Sequence, residues 1–427
     1  MSREMKHSGI PWIGEIPKEW GICRIKNVAT LYNGNSIKDE EKDNYTNPAN
    51  AIPYISTKDI DVTCQSINYE NGLYTDISDN TFKVAHADSS LMCIEGGSAG
   101  KKKCYVQQDV SFVNKLCCLA PKNINGKYLF YYLCSPNFES EFNKYISGLI
   151  GGVSVSILKN IDSILPPLSE QQKIASYLDR KCSEIDEMVV LQEKIIEELK
   201  AYKQSVITEA VTKGLNPDVP MKDSGIEWIG EIPEHWEVCF IKQIMRNKSV
   251  KGYPDEMVLS LYRDYGVVPK DSRNDNHNVT SDNTSDYKFV EVGDFVINKM
   301  KAWQGSMAVS DYQGIISPAY YICRFIYNNV NKRYVHYLLR HESYKAEYMR
   351  LSSGMRVGQW DLNIEDFLRT KMILPSLSEQ QSIASYLDEK CSEIDSLISI
   401  KQSKIESLKE YKKSIIYEYV TGKKEVE

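Results

Sequence analysis

The segment ILPPLSEQQKIASYLDRKCSEID at residues 164–186 returns as ILPSLSEQQSIASYLDEKCSEID at residues 373–395. A second matched pair precedes them, SGIPWIGEIPKEW at 8–20 and SGIEWIGEIPEHW at 224–236. The likeness continues from the long blocks to Val211-Thr212 and Val420-Thr421. Between the matched blocks, residues 32–162 and 248–368 share almost nothing. A repeat of roughly 210 residues is far longer than the 20–50 of a solenoid. The chain is a two-part module written twice: an entry motif, a variable middle and a long repeated block. Two copies with one task have no reason to diverge only in the middle. The pattern fits two readers of different things on equivalent scaffolds.

The repeated block reads as a long helix. Pro166 and Pro167 prevent an earlier start, and Ser169 before Glu170-Gln171-Gln172 has the composition of an N-cap and first turn. Apolar residues follow in alternating steps of three and four, at Ile174, Leu178, Ile185, Met188, Ile195, Leu199, Tyr202 and Val206, which is a heptad seam. Gly214 and Asn216-Pro217 end it. The second copy starts at Ser378 and carries its seam on Ile383, Leu387, Ile394, Leu397, Leu408, Tyr411 and Ile415. Each helix of about 40 residues is about 60 Å long. Such an amphipathic helix cannot bury its seam alone, so the two copies are expected to pair. A pseudo-two-fold axis across them makes the pair antiparallel and places the variable middles at opposite ends of it.

Composition narrows the class. The chain has 427 residues, 42% hydrophobic and 26% charged, which suits a soluble globular protein of two or three domains. No apolar run approaches the roughly 18 residues that span a bilayer. Residues 1–11 lack the apolar stretch of a signal peptide, so a cytoplasmic protein is expected. The 11 cysteines include no CxxC pair, which argues for buried thiols rather than disulfides or zinc. The net charge of −6 counts mildly against a simple basic nucleic-acid binder, although the local patch matters more than the total.

The middles mix short strands, turns and helices, giving an α+β fold with β-rich cores. Strands are expected at 51–56, 90–94 and 293–298, and helices at 126–134 and 332–339. Cations cluster beside glycines in both. Lys101, Lys102 and Lys103 follow the turn at 95–100; Lys299 and Lys301 flank Trp303-Gln304-Gly305; Arg356 precedes Gly358-Gln359-Trp360. Cations beside glycines let a backbone approach phosphates, and a neighbouring amide can read a base edge.

The doubled blocks resemble the specificity subunit of a type I restriction–modification enzyme. GDFVINKMKAWQGSM (293–307), ISPAYY (316–321) and GMRVGQWDL (354–362) are similar to motifs of its target-recognition domains, as are CIEGGSAGKKKCYV (93–106) and SGLIGGVSVSILKNI (147–161). The resemblance spans the whole chain and divides it into a first recognition domain at 1–165, a long helix at 166–213, a linker and second recognition domain at 214–374, and a second long helix with a tail at 375–427. It implies that each domain contacts one half of a split, asymmetric double-stranded DNA target. The helices then act as a ruler across the unread gap, half-sites one turn apart lying near 34 Å. It also implies two docked modification subunits that methylate adenine from S-adenosylmethionine, and restriction subunits that use ATP and Mg2+. This chain would bind no cofactor and catalyse nothing. Phosphate contact is assigned to Lys101, Lys102, Lys103, Lys299, Lys301 and Arg356, and base reading to Ser98, Asn114, Gln304 and Gln359. Trp303 and Trp360 fit either a core or a DNA-facing place.

The residues agree with that passivity. Asn47-Pro48-Ala49-Asn50 lacks the second proline and the aromatic of an adenine-methyltransferase motif. The turn at 96–102 has neither the spacing nor the hydroxyl of a P-loop, and His341-Glu342 lacks the second histidine of HExxH. Two other classes are weighed beside the adaptor. One is a site-specific endonuclease using Asp255, Asp286 and Lys288 with magnesium, a loose PD…DxK pattern. The other is a coiled-coil linker with no nucleic-acid role, which leaves the divergent middles unexplained.

Overall fold

A computed structural model describes every residue except 1, 2, 47, 49, 64, 149, 150, 264, 273–283, 354–359 and 427. The chain forms two compact units, Met1–Lys194 with Lys401–Glu427, and Ile195–Ile400. The long helices are Leu168–Lys213 and Leu377–Val420. Each unit takes the beginning of one and the end of the other.

Within both units the helix segments pair antiparallel, as the repeat implied. In the first, the rings of Tyr177 and Tyr419 lie 4.4 Å apart, and Lys412 Nζ donates to both carboxylate oxygens of Asp186 at 2.8 and 2.7 Å. In the second, Lys203 Nζ donates to Asp395 at 2.7 and 2.6 Å. Ile174, Leu178, Ile185, Ile383, Leu387, Ile394, Leu408 and Ile415 are buried as the seam required. Met188 and Leu397 are not; they are 42% and 45% exposed, and Tyr202 and Tyr411 are also exposed. Ile195 and Leu199 are only half-buried. Val189 and Ile196 are buried instead. The buried line Leu178, Cys182, Ile185, Val189, Ile196 keeps the heptad but on the neighbouring column, with a four-residue step from Ile185 where the expected seam took three.

The helices also begin one residue before the expected caps. Ser169 and Ser378 lie inside the first turn; Pro167 and Ser376 precede it, and Ser376 Oγ accepts from Glu379 N–H at 3.3 Å. The acid and first amide of the SEQQ motif do tertiary work instead. Trp20 and Trp236, each fully buried, donate their indole N–H to Glu170 (2.8 Å) and Glu379 (3.0 Å). Gln171 and Gln380, also buried, donate to the carbonyls of Pro166 and Pro375 (2.8 and 2.9 Å). Their Oε1 atoms accept the backbone N–H of Asn125 and Asn331, both at 2.8 Å. Those asparagines are the N-caps of the domain helices Gly126–Cys134 and Lys332–Leu339, which occupy the expected spans.

The entry motifs form equivalent hairpins, Met5–His7 with Glu15–Pro17 and Met221–Asp223 with Glu231–Pro233. The next strands pair antiparallel with those that lead into the long helices: Gly21–Arg24 with Asp162–Leu165, and Glu237–Phe240 with Lys371–Leu374. Gly422, in the left-handed region at φ 70°, packs so closely on Pro17 and Trp20 that a Cβ there would sit 2.4 Å from the proline.

The middles share one sheet plan. The first holds the antiparallel order Ala29–Asn33, Leu116–Pro121, Ser90–Cys93, Lys103–Tyr105, and the second the order Met245–Lys248, Tyr320–Phe325, Phe295–Asn298, Met307–Val309. In the first unit a further four-stranded sheet includes a parallel pairing of Ala51–Ile55 with Val110–Phe112. In the second, two separate strand pairs, Leu259–Tyr262 with Gly266–Pro269 and Lys288–Val290 with Gly314–Ile316, lie outside the main sheet.

Replacing Gln380 by leucine removes the partners of one buried N–H and one buried C=O while keeping the volume. The expected cost is on the order of 2 kcal/mol, read as a lower urea midpoint, with Gln171→Leu behaving alike in the first unit.

Candidate nucleic-acid interface

In the first unit three loops meet beside the edge of the main sheet. Ile94 N–H donates to Lys115 O at 3.0 Å, and Val153 N–H donates to Ile94 O at 2.9 Å. Gly96 N–H donates to Gly151 O at 2.8 Å, and Glu95 bridges Gly152. The Gly-rich turn at 95–100, the turn holding Asn114 and the segment ending at Val153 therefore form one tip. Gly100, at φ 72°, lies against Phe142, whose ring a Cβ would meet at 2.7 Å. The tip's own glycine requirement is thus a packing requirement as well.

Three of the predicted residues reach this tip's surface: Asn114 and Lys101 are exposed and Ser98 is half-buried. Lys102 is half-buried, its Nζ donating to Thr57 O at 2.5 Å. It lines an open polar hollow of about 610 Å³ with Lys58 and Asn68, residues that no motif singled out. Lys103 is a correction to the phosphate set. It is buried, donates to Leu133 O at 2.9 Å and sits 5.9 Å over the Phe138 ring. Alternation along the strand Lys103–Tyr105 turns it inward, where it satisfies a carbonyl at the end of Gly126–Cys134.

The corresponding place in the second unit is the short 3-10 helix Lys299–Gln304, packed on the strand Asp361–Leu362. Asn298 caps it, accepting from Met300 N–H at 3.1 Å. Ala302 is its buried anchor, and Gly305 ends it at φ 77°. Lys301 is exposed; Lys299 and Gln304 are half-buried. Trp303 and Trp360, distant in sequence, come together with ring centroids 5.4 Å apart. Both are half-buried, so they are neither core residues nor free surface. Arg356 and Gln359 lie outside the described residues.

Cations gather around Tyr321 of the ISPAYY motif. Lys299 Nζ lies 4.7 Å and Lys288 Nζ 5.6 Å from its ring centre. Burial, then the neighbouring Lys299 and Lys251, lowers the Lys288 pKa from the ordinary lysine value. Lys288 Nζ donates to Tyr320 O at 2.6 Å, and Asp286 pairs with Lys251 at 2.9 Å. The endonuclease reading therefore loses its site: its lysine and one acid are engaged elsewhere. Among the described residues no group of three or more His, Cys, Asp or Glu is placed to hold a metal ion. No described helix is long and apolar enough to cross a membrane.

These two tips, unlike in chemistry and carried on duplicate frames, define a paired recognition protein. The family described as type I restriction modification DNA specificity domain matches residues 17–201 and 233–410, so the chain belongs to that family. It is the DNA specificity subunit of a type I restriction–modification system and is itself non-catalytic. It is 28% identical to the type I restriction enzyme MjaVIII specificity subunit of Methanocaldococcus jannaschii, over 96% of this chain and 93% of that one. It is 22% identical to the StySPI specificity subunit of Salmonella potsdam, over 88% and 83%. In fold it is similar to a chain from a structure of type I restriction–modification complex assembly (TM-score 0.69, 15% identity, 95% and 99% covered). It is also similar to the HsdS subunit of Thermoanaerobacter tengcongensis (TM-score 0.51, 16% identity, 97% and 99% covered).

Lys101 and Lys103 separate experimentally. Lys103→Ala opens a cavity and strands the Leu133 carbonyl, lowering thermal stability by roughly 2 kcal/mol. Lys101→Ala should leave the melting temperature unchanged and weaken DNA binding, as calorimetry and fluorescence anisotropy would read.

Proposed function

We propose that each tip reads one half of a bipartite, asymmetric double-stranded DNA target. Lys101, Lys299, Lys301 and Arg356 hold phosphates, while Ser98, Asn114, Gln304 and Gln359 face base edges. Lys102 lends charge from the side of the hollow. The observation that carries this reading is the pairing of different side chains with the same local architecture in the two units. The domain limits at 165, 213 and 374 follow the same division. The interval between half-sites is set by the long helices.

The helices also offer docking surface for two modification subunits. The first unit exposes Met188, Val190, Leu191 and Tyr411; the second exposes Tyr202, Leu397 and Ile400. Met188 and Leu397, Leu191 and Ile400, and Tyr202 and Tyr411 are equivalent positions of the repeat. Apolar side chains left in water at matching places are what a partner needs. An open groove of about 630 Å³ in the first unit, lined in part by Val190, Leu191 and Asp186, adjoins that surface. The modification subunits would supply S-adenosylmethionine chemistry and the restriction subunits ATP- and Mg2+-dependent work, all in the cytoplasm.

Genome-wide mapping of N6-methyladenine, with and without the gene, tests the reading. Exchanging residues 25–161 for the equivalent region of another specificity subunit should alter one half of the methylated motif and leave the other. A motif altered in both halves, or in neither, would sink it. The double change Lys299→Ala and Lys301→Ala should weaken binding to every duplex and lower the salt slope by about 2, at about 0.9 per phosphate. An unchanged slope removes these lysines from the interface.

A further inference from the structure

A second cationic site lies at the base of each middle, where it joins the duplicated frame, rather than on the tips. In the first unit the strand Gly21–Arg24 turns into the short helix Ile25–Val28, and Lys26 N–H donates to Lys159 O at 3.1 Å. This brings together Arg24, Lys26 and Lys159. Arg24 Nη1 and Lys26 Nζ converge on one neutral acceptor, Asn160 Oδ1, at 3.4 and 3.0 Å. In the second unit the same junction joins Ile241 N–H to Thr370 O at 3.0 Å, as Ile25 N–H joins Ile161 O at 3.0 Å. There the cations are Lys242, Arg369 and Lys371, all exposed. Lys242 Nζ lies 5.2 Å over the Phe240 ring, and Lys371 Nζ reaches only the Gly225 carbonyl, at 3.4 Å.

The residues differ between the copies while the charge stays. Arg24 faces Asp162 across its strand pair, and the equivalent pair in the second unit is Phe240 with Lys371. Among the described residues none of the six cations makes an ion pair with a carboxylate, Asp162 included. The long helices are the contrast. Their lysines pair with acids three residues away, as in Lys181–Glu184, Lys200–Glu197, Lys390–Glu393 and Lys413–Glu410. In a chain with six more acids than bases, two cations share one neutral amide oxygen and carry a mutual repulsion that no direct ion pair relieves. An external polyanion removes it. The site is also one short helix beyond the first tip: the segment ending at Val153 leads through Val155–Leu158 to Lys159.

We propose that Arg24, Lys26 and Lys159, and at the same frame position Lys242, Arg369 and Lys371, form a sequence-independent clamp on the DNA sugar–phosphate backbone. It rests on the reading of the tips as DNA contacts and adds a division of labour. The tips choose the sequence, and the base of each middle holds whatever duplex is presented.

The test uses the full chain assembled with its modification subunits, and two duplexes of equal length, one carrying the methylated motif and one unrelated. Salt dependence of binding is measured for Arg24→Gln/Lys26→Gln/Lys159→Gln and, as an independent second variant, for Lys242→Gln/Arg369→Gln/Lys371→Gln. The expected result is a slope lower by about 2–3 on both duplexes, at about 0.9 per phosphate lost, with the methylated motif unchanged. Either triple suffices should the other fail to fold. An unchanged slope in a folded variant overturns the clamp. So does an unchanged slope with lost subunit assembly, which would assign the cations to an acidic protein face. A lower slope on the cognate duplex alone also overturns it, since that would make the cations readers of sequence. Failure of the unmodified assembly to bind either duplex would count against the tips themselves, and is thereby distinct.

Discussion

A tryptophan indole held by the first-turn glutamate of a long helix is the contact on which each half of this protein is organised. Trp20 meets Glu170 and Trp236 meets Glu379 at full burial. An indole N–H left unpaired at that depth would cost on the order of 1–3 kcal/mol. The bond therefore sets where the entry hairpin sits on the helix. One residue along, Gln171 and Gln380 take the cap N–H of the domain helix and return an N–H to the proline carbonyl before the long helix. Hairpin, domain helix and long helix are referred to a single turn. The variable sheet is built outward from that turn.

This arrangement explains how the middle can change without loss of the frame. The strands that enter and leave each variable region are paired with one another, Gly21–Arg24 with Asp162–Leu165 and Glu237–Phe240 with Lys371–Leu374. Whatever lies between them is closed at its base by backbone hydrogen bonds, which depend little on side-chain identity. Function then concentrates in loops supported by a rigid sheet edge. The first tip is glycine, serine and lysine; the second is lysine, tryptophan and tyrosine. Both are tied to the segment that returns toward the long helix, which couples recognition residues directly to the frame.

One unit is discontinuous in sequence, while the second is the single stretch Ile195–Ile400. The first is completed only by Lys401–Glu427, whose helix end packs on the entry hairpin through Gly422 and gives the Val420 carbonyl to Tyr128 OH at 3.1 Å. The ion pairs Asp186–Lys412 and Lys203–Asp395 mark the same antiparallel register in each unit. Half-exposed, they add little energy. Their use is orientation, while buried Ile, Leu and Val supply the driving force.

The sequence by itself determined the duplication, the pairing of two long helices and the α+β character of the middles, because repetition and apolar periodicity are one-dimensional properties. It also gave the domain helices to the residue, since Asn caps and flanking Ser and Arg are local signals. Tertiary structure alone decided which members of a cationic run reach solvent. Strand alternation and a carbonyl lacking a donor sent Lys103 inward, and neither is visible in KKK. It alone placed Trp303 beside Trp360 and Lys299 over Tyr321, contacts between segments that share no periodicity. It moved the first helix's seam from Met188 to Val189, since which side of an apolar column is covered is set by what packs against it. It also turned SEQQ from a cap into a set of long-range ties, since the partner of a buried polar side chain is chosen by packing and not by neighbours in the chain.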